Sequence, residues 1–203
     1  MKWNHAIEQL KLMKHYFIAS VLVFLAGMLM GALYSEQFQA FINTQLEALK
    51  RITDTLAEKP NQQWSLFWLI FWNNASKSLL VIVMGVLFGI FPLFFLIVNG
   101  LVLGYVAVAA GQKESWLFVI KAIVPHGILE LPAIIIACAL GLRLGMLLLK
   151  MFLSIFSPSR SLQAREQLRA FVKALVPISV MLVIVLFVAA LIESTFTLWL
   201  VQV

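Results

Sequence analysis

His126 and Glu130 stand four residues apart in a largely apolar stretch, and Glu193 lies in a second one. That spacing puts an imidazole and a carboxylate on one helical face, one turn apart. An imidazole with two carboxylates is a donor set for zinc or another divalent cation. With the amides of Asn73, Asn74 and Asn99, the same groups also suit a buried hydrogen-bonded network. Carboxylates inside a membrane mark proton and ion paths as well. All three readings stand, since a single histidine without an HExxH motif does not choose between them. No serine or cysteine occupies a nucleophile motif. Cys138 is the only cysteine, which excludes a disulfide framework and a thiolate cluster.

What must hold these groups is a membrane bundle. The 203 residues are 63% hydrophobic and 12% charged, too few charges for a water-facing surface. Apolar runs long enough to cross hydrocarbon predict spans at about 16–33, 66–90, 92–111, 126–148 and 175–199. The first run exceeds a signal-peptide core and reads as an uncleaved helix. Gly89-Ile90-Phe91-Pro92 predicts a hairpin, and Pro125 a break before the fourth span. Trp64, Trp68 and Trp72 share a helical face suited to the membrane interface. The stubs at 64–76 and 112–124 read equally as re-entrant or interfacial. Between the first two spans, 36–58 carries Phe38, Ile42, Leu46, Leu49, Ile52 and Leu56 at helical spacing, an amphipathic helix. The expected fold is an all-α polytopic membrane helix bundle in one domain.

Charge sets the orientation. The loop 150–174 carries Arg160, Arg165, Arg169 and Lys173 against Glu166, whereas acidic residues outweigh basic ones in 34–63. Cytoplasmic loops favour Lys and Arg, so five spans with a cytoplasmic N-terminus place the basic loop inside and the amphipathic helix outside. A net charge of +6 without a basic run interleaved with aromatics points to anionic lipid headgroups and away from nucleic acid. Arg143, Lys77 and Lys121 lie close enough to span ends to snorkel. His5 and His15 precede the first span, remote from the cluster, and carry no assigned role. With this topology, His126, Glu130, Glu193, Asn73 and Asn74 are expected at one depth in the outer leaflet, with Asn99 deeper.

Glycines recur at four-residue spacing: Gly27 and Gly31, Gly85 and Gly89, Gly100 and Gly104, Gly141 and Gly145. Lipid gives helices no hydrophobic drive to associate, so close backbone approach at small residues is a main packing device. Ala133, Ala137, Gly141 and Gly145 continue the stripe that holds His126 and Glu130, which turns the polar pair towards other helices.

Taken together, Asn73-Asn74, Gly85-x-x-x-Gly89, Asn99-Gly100-x-x-x-Gly104, Pro125-His126-Gly127-x-x-Glu130-Leu131-Pro132-Ala133, Gly141-x-x-x-Gly145 and Ile192-Glu193 resemble the stage II sporulation protein M family. The Pro-His-Gly-x-x-Glu-Leu-Pro-Ala stretch is the most specific part, and the likeness covers about two-thirds of the chain, 64–194. The resemblance implies a bacterial cytoplasmic-membrane protein. In spore formers the family's namesake is a membrane scaffold for peptidoglycan-degrading partners during engulfment, while relatives occur in bacteria that do not sporulate. The expected function is a non-catalytic component of a cell-envelope complex, forming a homodimer. A metal-dependent intramembrane enzyme using His126, Glu130 and Glu193, and a small transporter or proton relay, are the alternatives.

Overall fold

A computed structural model of the chain describes residues 3–34, 38–40, 43, 44, 47, 61–113 and 116–201. Side chains are described for all of these except 62, 116–126, 128, 129, 158 and 196–201. The amphipathic segment expected at 36–58 falls largely outside the described residues. Six helices are defined within the rest: α1 (Trp3–Lys11), α2 (Lys14–Leu33), α3 (Gln62–Met84), α4 (Ile90–Lys113), α5 (Trp116–Leu153) and α6 (Pro158–Val201). Five of them, α2 to α6, are long and apolar enough to cross a membrane. The described residues contain no strand.

α5 is the centre of the bundle. Of its apolar window, 61% is buried, against 22–33% in the other four spans, which leave most of their surface to lipid. It runs unbroken through Pro125 and Pro132, so the expected break at Pro125 does not occur. In hydrocarbon no water competes for backbone groups, and a helix carries a proline that would end it in solution. The main core packs Phe71 and Ala75 of α3, Ala137 and Leu140 of α5, and Leu182 and Leu186 of α6.

Two glycine seams bring backbones together. A Cβ on Gly27 of α2 would stand 2.6 Å from the Ile97 carbonyl oxygen of α4, and Gly31, Gly100 and Gly104 are as tightly opposed along the same pair. At the second seam, Gly85 meets Gly141, and Gly145 meets Gly89 and the backbone of Phe88. Here the chain reverses one turn earlier than the expected hairpin at 89–92. Phe88 (φ 53°) and Gly89 (φ 80°) supply the left-handed step, and α4 is already helical at Ile90. Residues 79–98 contain no polar side chain. Most of the turn's N–H groups instead bond to its own backbone: Val86 N–H donates to Val83 O, Leu87 to Met84 O, Gly89 to Gly85 O and Ile90 to Leu87 O. Such self-satisfaction lets a turn lie against lipid.

The basic segment expected as the loop 150–174 is a short turn at 154–157 followed by the first four turns of α6. Ser157 O accepts from Ser161 N–H and Pro158 takes the first helical position, where its missing N–H costs no bond. No breaker intervenes before Pro177, which α6 also carries.

A buried carboxylate and a buried guanidinium lock the helices

Glu130 follows the small-residue stripe of α5, with Ala133 and Ala137 one and two turns on, and is 3% exposed. Across from it, α3 buries Phe67, Phe71, Ala75, Ser78 and Ile82, a helical stripe that also turns Asn74 inwards. Asn74 Nδ2 donates to Glu130 Oε1 at 2.5 Å, joining two spans. A hydrogen bond between side chains of two spans, in surroundings without competing water, holds these turns of α3 and α5 against each other. Asn73 is one step removed, donating to Asn74 Oδ1 at 3.4 Å. Asn99 does not join the pair: its amide donates to Phe95 O at 2.7 Å, one turn back in α4.

Glu193 stands apart along the bundle axis. Phe187 packs edge-on against Phe67 and Phe71, with ring centroids 5.2 and 5.4 Å away, and fixes α6 against the antiparallel α3. Asn74 lies inward of that contact and Glu193 outward. At 1.5 Å per residue, roughly two to three helical turns separate Glu193 from the Asn74–Glu130 pair. The single depth expected for these groups is thus held by Asn74 and Glu130, with Glu193 nearer the Trp64 end. The His126 backbone lies one turn before Glu130 in α5, and its imidazole is outside the described side chains. Among the described residues no three His, Cys, Asp or Glu side chains are grouped to hold a metal.

Arg143 is the second buried charge, and the sequence reading misplaced it. It does not snorkel. It is 8% exposed and turns inwards, donating through one guanidinium nitrogen to Gln9 O and through the other to Gln9 Oε1, both at 2.6 Å. Its Cζ lies 4.7 Å from the Phe171 ring centroid. His5 Nε2 meets Ala170 O at 2.9 Å, so α1 is fixed to α6 at a second point. The signal for α1 was present as Ala6, Gln9 and Met13, buried residues at helical spacing ahead of the first span. The N-terminus, the end of α5 and the start of α6 therefore lie at one end of the bundle.

The model of the stage II sporulation protein M family matches residues 20–198. The chain belongs to that family. The match extends the motif-bearing part to the first span and leaves α1 ahead of it. An uncharacterized protein of Methanocaldococcus jannaschii is 29% identical over 129 residues, 64% of this chain. The chain matches 55% of that relative's length. No solved structure matches. The family and the five apolar helices make this a multi-pass membrane protein.

Proposed function

We propose that this stage II sporulation protein M family member is a non-catalytic membrane scaffold within a cell-envelope complex. It would sit in the cytoplasmic membrane as a homodimer, with its N-terminus in the cytoplasm. One observation carries the reading. Glu130 and Arg143, the two buried charged side chains among those described, are each engaged by a side chain of another helix in the same chain. Charges spent on holding helices together fix a shape, whereas a catalytic group is aimed at a cavity where substrate can meet it. Envelope proteins, peptidoglycan-remodelling ones among them, are the partners that this reading implies.

The test is complementation of a deletion strain, scored against the amount of folded protein in the membrane. Glu130→Gln keeps an oxygen for Asn74 and is expected to complement at the wild-type level per folded molecule. Purified wild type is expected to be free of stoichiometric divalent metal on elemental analysis. A Glu130→Gln protein that is folded and abundant but fails to complement, together with bound metal lost in His126→Ala, would replace this reading with the enzymatic one.

A further inference from the structure

Arg143 on Phe171 sets the register of the antiparallel α5 and α6, with Arg169 level with Gly145, and Gly145 lies against Gly89 of the α3–α4 turn. Arg165, Arg169 and Lys173 are exposed at four-residue spacing around that level. Charged side chains avoid hydrocarbon and reach for headgroups, so the membrane surface lies at this stripe. From Gly145, α5 runs on through residues 146–153, roughly 12 Å at 1.5 Å per residue, before the chain turns into α6. The α5–α6 hairpin therefore stands out of the membrane into water. Its tip is apolar all the same: Phe152, Leu153, Ile155 and Leu162 are 62–70% exposed, and Phe156 is 97% exposed. Lys150, Arg160 and Arg165 flank these side chains, with Glu166 the acidic residue of the hairpin. None of the three cations forms an ion pair among the described residues.

We infer that the tip of this hairpin docks an acidic amphipathic segment of a protein on the same side of the membrane. Large apolar side chains clustered in water mark an interaction site. The membrane surface lies too far back along the hairpin to cover them. A second copy set tip to tip would bring Lys150, Arg160 and Arg165 against their own equivalents, and like charges facing each other oppose association. The chain's own acidic stretch, with Glu36, Glu47, Asp54 and Glu58, joins Leu33 of α2 to Gln62 of α3, at the opposite end of both spans. A partner helix with apolar residues on one face and Asp or Glu beside them covers the tip and pairs its cations at once. This inference gives the scaffold reading a contact surface without resting on it, since binding is measured apart from complementation.

Full-length protein in phosphatidylcholine nanodiscs is titrated against two fluorescein-labelled helical peptides that share a leucine face. One carries glutamate on its polar face and the other lysine. Fluorescence anisotropy gives the affinity, and empty nanodiscs give the baseline for peptide on lipid. The glutamate peptide is expected to bind above that baseline and the lysine peptide is not. Ile155→Ser/Phe156→Ser and, separately, Lys150→Gln/Arg160→Gln should each weaken the glutamate peptide about tenfold. Both pairs alter exposed side chains, and a thermal melt checks that each variant is folded. Lys113→Gln, at the opposite end of α4, should leave binding unchanged. The comparison of the two peptides needs no substitution and so survives a misfolded variant. Glutamate-peptide binding that equals the baseline, is matched by the lysine peptide, or persists in the folded serine variant overturns the inference. A wild-type dimer that binds no peptide and that the serine pair makes monomeric would give the tip to a second copy instead.

Discussion

Asn74 holds a carboxylate that is 3% exposed, so removing the amide and removing the charge are different experiments. Asn74→Ala leaves a buried oxygen short of a donor and is expected to lower stability by about 1–3 kcal/mol. Glu130→Gln keeps an acceptor for the amide and discards a charge from an apolar surround, so its expected change is under about 1 kcal/mol. Unfolding in detergent, followed by circular dichroism, measures both. If Gln at 130 cost more than Ala at 74, the charge would have a duty beyond this bond. Residue types and spacing showed in advance that Glu130 needed an inward partner, and Asn74 was among the candidates. Neither the separation of Glu193 nor the partner of Arg143 was legible that way. Glu193's place depends on how α6 slides along α3, which Phe187 sets. Gln9 is 134 residues from Arg143 in sequence and lies in a helix that no long apolar run announces.

At the scale of helices, the spacing of glycines carried much of the architecture, because a missing side chain in lipid is chiefly useful where two backbones meet. Which glycines oppose which was not in the spacing. Gly27 and Gly31 meet α4, whereas Gly85 and Gly89 meet Gly141 and Gly145 of α5. The unbroken helices were also hidden, since the rules that stop helices at proline come from water. Gly85→Ala tests the second seam. Its Cβ would fall 2.7 Å from the Gly141 carbonyl carbon and from its Cα, and backbone cannot give way as a flexible side chain can. Overpacking of this kind costs about 1–3 kcal/mol. Val86→Ala next to it, at a site 51% exposed, is expected to be nearly silent in the same melt. Equal effects would mean that α5 and the turn are not held by this contact.

Over the whole molecule, the contacts of α1 tie topology to charge. His5 on Ala170 and Gln9 on Arg143 put the N-terminal helix and the basic start of α6 on one side of the membrane, whichever side that is. The preference of Lys and Arg for cytoplasmic segments makes the cytoplasm the expected side. Single cysteines in a Cys138→Ala background test the two steps separately. Cys138 is fully buried, so its loss removes a thiol without opening the surface. Asn4→Cys and Gln163→Cys, both at exposed positions, are expected to resist an impermeant thiol reagent in intact cells and to react after permeabilisation. Gln45→Cys, in the segment between the first two spans, is expected to react in intact cells. If positions 4 and 163 were labelled from opposite sides, the docking of α1 on α6 would be wrong. If both were labelled from outside while position 45 was protected, the docking would stand and the orientation would reverse.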